Sequence, residues 1–314
     1  MITVLSGGVG GAKLALGLYH ALPRDDLTAI VNTGDDFVHL GLPISPDVDT
    51  MLYTLADLNN EELGWGRRDE TWTFMDVTAS LGGADWFRLG DGDLALHVER
   101  ARRLGRGETL SEVVAAVADA WGIHARILPM TDDRVATVVA TKEHGVLPFQ
   151  EYFVQHRCAP TVTQIAFEDG TTAAPAPGVV DALAGANVVV IAPSNPYLSV
   201  DPILAVPGLR TALERTNAPV VAVSPIVGGA AIKGPAAKIM GELGIEVSPA
   251  AVARHYDGLI DGFILDRLDN KLRDMITVPC LVTDTIMTSL ADKERLAREL
   301  LDFAADLPRK EREP

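Results

Sequence analysis

Cysteine is nearly absent from this chain. Only Cys158 and Cys280 occur among 314 residues, with no Cys-x-x-Cys or Cys/His cluster around either. That excludes a disulfide framework and a thiolate zinc site, and both are expected in the interior as small apolar residues. Long hydrophobic runs are missing as well. Stretches such as Val188-Val189-Val190-Ile191-Ala192 fall far short of the roughly 20 residues a membrane span needs. No basic-then-apolar leader is visible, because Met1-Ile2-Thr3-Val4-Leu5 runs straight into a glycine loop, so a cytoplasmic protein is expected. Positive charge is scarce: 27 Lys and Arg stand against 43 Asp and Glu, a net charge of −16. This argues against nucleic-acid or anionic-membrane partners. It leaves room for a small phosphorylated ligand, which needs only local donors and brings Mg²⁺ to a carboxylate site. Internal repeats and Gly/Ser- or Pro-rich linkers are also lacking, so residues 1–314 read as one body.

What is present is a pattern of short apolar strands alternating with helical spacing, in a chain that is 47% hydrophobic. Ile2–Leu5, a helix over Ala12–Ala21 and Leu27–Val31 form a βαβ start. Residues 50–122 read as a helical insertion, with Thr109-Leu110-Ser111-Glu112 a capping box. Strand-like stretches follow at Ala125–Leu128, Val135–Thr141, Phe149–Val154 and Thr161–Phe167. Alternation then resumes with strands at Asn187–Ala192, Val220–Ser224, Gly262–Leu265 and Leu281–Thr283. One helix opens at Ser248-Pro249 and another runs from Ser289 to Ala305; the tail from Arg309 to Pro314 is expected to fray. The predicted class is α/β: Rossmann-like, with a mostly parallel sheet flanked by helices.

Three turns after strands carry the chemistry. Ser6-Gly7-Gly8-Val9-Gly10-Gly11-Ala12-Lys13 sits between a strand and a helix, where glycine lets backbone amides approach an anion and the helix offers free N–H groups. It lacks the Gly-Lys-Ser/Thr ending of a P-loop and is not a clean GxGxxG. Alone it is equally a phosphate loop or a tight structural turn. Pro193-Ser194-Asn195-Pro196 and Ser224-Pro225-Ile226-Val227-Gly228-Gly229 each follow another strand, with Lys233 just beyond the latter. Parallel strands bring such turns to one edge of the sheet, which points to a nucleotide site.

The acids are the sharpest signal. Asp35-Asp36 follow the second strand, and Asp47-Val48-Asp49 open a helix. The plain reading of Asp47 and Asp49 is helix capping. Four carboxylates brought together repel unless a cation lies among them, which points to Mg²⁺. Arg88-Leu89-Gly90-Asp91-Gly92-Asp93 adds a cation and two acids ahead of His97, itself a packed or surface helical histidine. Trp65, Trp72 and Trp86 either wall a pocket for a planar ring or form the core of a small lobe.

Taken in order, Ser6–Lys13, Asn32-Thr-Gly-Asp-Asp36, Pro46-Asp-Val-Asp-Thr50, Trp86-Phe-Arg-Leu-Gly-Asp91, Pro193–Pro196 and Ser224–Gly229 resemble the CofD/FbiA family, as do Met130–Asp133 and Leu147–Phe153. The resemblance spans nearly the whole chain. It implies a 2-phospho-L-lactate or phosphoenolpyruvate transferase of coenzyme F-420 biosynthesis. Such an enzyme joins a three-carbon phospho-acid, delivered as a guanosine diphosphate derivative, to the deazaflavin alcohol FO, releasing GMP with Mg²⁺ as cofactor. It also implies a Rossmann-like fold and a homodimer. Carried over by position, Asp49 and Arg88 match residues that contact FO, and Asp35 an acid associated with the metal; Asp35 and Asp49 are both candidate catalytic acids, either one the proton acceptor or a metal ligand. Gly7, Gly8, Gly10, Gly11, Lys13, Ser194, Asn195, Ser224, Gly228 and Gly229 fall on the nucleotide side. The family often has Gly-Asp-Arg-Asp where this chain has Gly90-Asp91-Gly92-Asp93, so one cationic contact is lost. The first glycine loop is closer to bacterial members, which favours the phosphoenolpyruvyl donor. The competing expectation is a YvcK-like protein that binds a nucleotide sugar without turnover, and Asp47, Asp49 and Arg88 argue for the enzyme. A nicotinamide oxidoreductase would give the two later loops no role.

Overall fold

The computed structural model describes residues 1–62, 65–232 and 234–308. Lys233 and the tail from Arg309 lie outside these described residues. Among them, seven strands form one sheet: β1 (Ile2–Ser6), β2 (Leu27–Val31), β3 (Arg126–Pro129), β4 (Val188–Ile191), β5 (Val220–Val223), β6 (Gly262–Asp266) and β7 (Cys280–Thr283). Their order is β7-β6-β5-β4-β1-β2-β3, and every pairing is parallel. The chain starts in the middle, builds outward through β2 and β3, and then returns beside β1 to build the other way. The crevice between β1 and β4 is therefore the point where strand order reverses, and open α/β sheets bind ligands there.

The central strands are apolar throughout because both faces are covered. Val4, Ala29, Val190 and Val221 face one way, against Leu14 and Leu18 of α1 (Gly8–Ala21), Met51 and Leu52 of α2 (Pro46–Leu55), and Leu296 and Leu300 of the helix Leu290–Ala305. Leu5, Ile30, Val189 and Ala222 face the other way, toward Leu183, Leu213, Met240 and Val252. Burying a side chain of this size contributes about 1.5–3 kcal/mol, so the paired layers hold the strand ends that carry the loops.

Between β2 and β3 lie a hairpin (Phe37–His39 with Leu42–Ile44) and the helices α2, α3 (Thr73–Ser80), α4 (Asp91–Leu104) and α5 (Leu110–Ala120). The Thr109/Glu112 capping box is formed at the start of α5. Ser248 caps the helix Pro249–His255, and Ser289 with Asp292 caps the last described helix. A separate antiparallel sheet joins Gly145–Pro148, Ala136–Thr141 and Val162–Glu168.

One expected strand is absent. Residues Glu151–Gln155 form a π-helical turn, not the strand predicted over Phe149–Val154. Phe149 and Phe153 stack with ring centroids 5.3 Å apart while Tyr152 is buried, so the apolar spacing there belongs to a turn of helix. The two cysteines are free and only partly buried. No described helix is long and apolar enough to cross a membrane.

Candidate active site

A cavity of about 730 Å³ opens over the β1/β4 crevice. Its floor comes from the glycine string, which is less a loop than the first turn of α1. Gly7 is the N-cap residue and has no side chain to cap the helix, so the opening amides beyond Gly8 are available to an anion. Gly8 has φ +66° and donates its amide to Asp47 Oδ1 at 2.6 Å. A β-carbon on Gly10 would fall 2.5 Å from the Pro193 carbonyl oxygen, so glycine here lets α1 pack on the loop after β4. Ser194 Oγ accepts from Gly7 N at 3.1 Å and donates to Gly7 O at 2.7 Å, tying the two loops together.

The nucleotide-side residues divide. Gly7, Gly8, Gly10, Lys13, Ser194 and Asn195 line the cavity. Lys13 Nζ donates to Met287 O at 2.9 Å, and Asn195 caps the turn Pro196–Val200, receiving the amides of Tyr197 and Leu198. Gly11 is instead wedged against the hydroxyls of Ser6 and Ser194. Ser224, Gly228 and Gly229 are outside the lining. Ser224 bonds to Ile226. Gly228 and Gly229, both at positive φ, form the two-residue turn between Ile226–Val227 and Ala230–Ala231, a geometry that calls for glycine. From that segment Pro225, Gly234 and Pro235 reach the cavity.

The acids converge, in two groups. Asn32 sits between Asp35 and Asp47, its amide nitrogen 3.3 Å from Asp35 Oδ1 and 2.9 Å from Asp47 Oδ2. Gln150 donates to Asp35 Oδ2 at 3.2 Å. Burial pushes the Asp35 carboxyl well above the ordinary range, and the charges of Asp47 and Asp36 add to this. Burial likewise raises Asp36, against the hydrogen bond from Ser45. Desolvation pushes Asp47 up to about 6, opposed by the hydrogen bonds from Asn32 and Gly8.

Asp49 is turned elsewhere. Both of its oxygens receive the guanidinium of Arg100, a fully buried residue of α4 that the sequence reading missed. Asp49 is thereby held apart from the Asp35/Asp47 group. The only available signal for Arg100 was spacing: Asp93, His97 and Arg100 lie at i, i+4 and i+7, a polar stripe on one helical face. Of its two expected placements His97 takes the packed one: it is buried, and it also lines the cavity with Asp49, Tyr53 and Asp93.

No three His, Cys, Asp or Glu side chains among the described residues form a ready-made metal cage. Mg²⁺ seldom uses one. It is commonly held by one or two carboxylates, with substrate phosphates and water completing the octahedron. Two hard oxygen donors, Asp35 and Asp47, whose buried carboxyls are each destabilised as anions, fit that role.

The cavity also has an aromatic lining. Phe87, Phe149, Phe153 and Trp65 line it. Arg88 joins them, its guanidinium 4.7 Å from the Trp72 ring centre and paired with Asp76 at 3.2 Å. Trp86 packs with Phe37, His39 and Phe87 in the core of a small lobe, whereas Trp65 lines the cavity.

A glycine-capped helix at the switch point, two buried carboxylates and an aromatic lining suit transfer of a phosphorylated group. Residues 2–277 match the family described as 2-phospho-L-lactate transferase CofD. This chain belongs to the CofD family. It is 43% identical to a phosphoenolpyruvate transferase of Streptomyces griseus, covering 98% of this chain and 99% of the relative. It is 40% identical to a 2-phospho-L-lactate transferase of Methanocaldococcus jannaschii, covering 98% and 99%. Membership of the CofD family makes the chain a transferase. A UPF0052-family structure from Bacillus halodurans shares the fold, with TM-score 0.64 and 16% identity over 96% of this chain and 98% of that one.

Proposed function

We propose that this CofD-family enzyme transfers a phosphoenolpyruvyl group from its guanosine diphosphate derivative to the terminal ribityl hydroxyl of FO, releasing GMP in the course of coenzyme F-420 biosynthesis. The observation that carries this reading is a single cavity lined both by the α1 terminus with Asp35 and Asp47 and by aromatic rings with Arg88. A diphosphate suits the first set of groups and a flat, polar deazaflavin the second. Full-length similarity to named phosphoenolpyruvate transferases and the bacterial-type glycine loop support the unsaturated donor over 2-phospho-L-lactate.

The acceptor hydroxyl attacks the phosphorus bearing the three-carbon acid. An O–P bond forms, the bond to GMP breaks, and the hydroxyl proton leaves. The α1 amides orient the diphosphate for in-line displacement. Asp35 and Asp47 would hold Mg²⁺, which when bound neutralises the diphosphate charge. Asp49 accepts the proton. A carboxylate has about four lone-pair sites, and Arg100 occupies two of Asp49's while fixing its orientation.

The test is incubation of the purified protein with FO, Mg²⁺ and, separately, the phosphoenolpyruvyl, 2-phospholactyl and phosphoglyceryl guanosine diphosphates. The expected result is dehydro-F-420-type product by mass with equimolar GMP, fastest with the first donor. Binding of donor without turnover in all three would replace the enzyme reading with the YvcK-like one.

A further inference from the structure

The cavity wall contains a buried hydrogen-bond frame, of which the transfer step uses only Asp49 and Arg100. Arg100 Nη1 lies 3.2 Å from His97 Nδ1 as well as 3.1 Å from Asp49 Oδ2. A guanidinium only donates, so His97 Nδ1 is the acceptor and the ring proton is on Nε2. That nitrogen lies 3.2 Å from Asp93 Oδ1, at an angle that leaves it without a well-formed hydrogen bond. The Tyr53 hydroxyl donates to the same oxygen at 2.5 Å. Two donors from two packed helices thus crowd one oxygen of Asp93, while Oδ2 has no recorded partner among the described residues. The side chain is 14% exposed and lines the cavity. Burial opposes its charge, yet His97, Tyr53 and Arg100 together hold the carboxyl below the usual range.

Position identifies what this oxygen would meet. At 1.5 Å per residue along α2, Tyr53 stands about 6 Å beyond Asp49 and about 9 Å beyond Asp47. On the other side, Phe87 and Arg88 immediately precede α4. Through Tyr53, Asp93 is thus set back along α2 from Asp47 and Asp49, and it lines the same cavity as Phe87 and Arg88, a setting that suits a hydroxylated chain of several atoms. We propose that Asp93 Oδ2 receives a secondary hydroxyl of the acceptor's polyol chain, with Tyr53, His97 and Arg100 as the positioning residues that aim it. This rests on the proposed deazaflavin acceptor and adds a determinant of acceptor specificity remote from the reacting hydroxyl.

Asp93→Asn tests it, because the amide keeps the shape but puts a donor where the free oxygen was, if its carbonyl still receives Tyr53. Fluorescence titrations would compare FO with a deazaflavin of equal chain length that carries only the terminal hydroxyl, with GDP calorimetry on the same samples. The parent protein should prefer FO about tenfold or more, the scale of one hydrogen bond to a charged group. Asp93→Asn, which leaves at best a neutral hydrogen bond to that hydroxyl, should lose most of this preference with GDP affinity unchanged. Preference retained in Asp93→Asn, or absent from the parent, overturns the proposal. A parent that binds GDP but neither deazaflavin overturns the acceptor reading beneath it. Should Asp93→Asn lose GDP binding through misfolding, Tyr53→Phe is the second variant: it should lower FO affinity several-fold and leave the deoxygenated analogue unaffected, and equal losses for both count against the proposal. Nitrogen-15 NMR should show His97 protonated on Nε2; a proton on Nδ1 refutes the frame.

Discussion

Replacing Asp49 by Asn should destabilise the fold as well as slow the reaction. In the structure Asp49 is 6% and Arg100 1% exposed at the side chain, and the guanidinium spans both carboxylate oxygens. The amide keeps one acceptor and turns a donor toward Arg100, leaving a buried cation without its counter-charge. Breaking one side of a buried pair costs about 3–5 kcal/mol. A chain of 314 residues unfolds with an entropy near 0.7 kcal/mol per degree at about 2.1 cal/mol/K per residue, so the melting temperature should fall by about 4–8 °C. The double variant Asp49→Asn/Arg100→Met should recover part of that loss, because removing both charges also removes the stranded cation. Scanning calorimetry of parent, single and double variants measures all three. A single variant melting within about 1 °C of the parent, or a double variant much less stable than the single, would refute the reasoning. Activity of Asp49→Asn should then be assayed well below its lowered melting point, where loss of turnover reports on proton acceptance.

Arg88→Ala should change stability by less than about 1 kcal/mol, since its pair with Asp76 is exposed, yet weaken FO binding with GDP affinity unchanged; loss of GDP binding alone sinks the assignment of Arg88 to the acceptor wall. Gly10→Ala should cost about 1–3 kcal/mol, because the added carbon meets the backbone of Pro193, and should weaken GDP binding in the same calorimetric series; an unchanged melting temperature would contradict the packing described. Without metal, stability should fall as pH rises from about 4 to above 6. The folded state holds a proton on Asp47 up to about 6 while the unfolded chain releases it near 3.9, and stability declines wherever the folded state binds more protons. Asp35 and Asp36, also raised, act in the same direction. Millimolar Mg²⁺ should oppose that fall, and a melting temperature indifferent to both pH and Mg²⁺ would count against the Asp35/Asp47 metal site.

Much of this was legible in the sequence, for physical reasons. Val188–Ile191 and Val220–Val223 are apolar at every position because helices cover both faces of the sheet, and a short continuous run bounded by turns is the pattern a fully buried strand produces. Thr109, Ser248 and Ser289 announce their helices through caps. Phe149–Val154 misled because an i, i+4 aromatic stack over one turn looks, at that length, like a strand. Gly228-Gly229 resembled a ligand loop although paired glycines between short strands also signal a hairpin. Arg100 was hidden because its neighbours Arg102 and Arg103 have the same chemistry and are far more exposed; only the stripe it shares with Asp93 and His97 sets it apart.

The packing of α1 against the helix Leu290–Ala305 has a consequence for how the protein is made. The glycine turn is synthesised well before Leu296 and Leu300, yet Leu14 and Leu18 behind it share their cluster with them. Until the helix Leu290–Ala305 is made, the back of α1 lacks part of its apolar cover, and the glycine turn is fully supported only when that helix docks. A nascent chain halted before Leu290 should retain β1 and α1 in sequence yet hold the α1 terminus poorly, which ties formation of the cavity to a late step of synthesis.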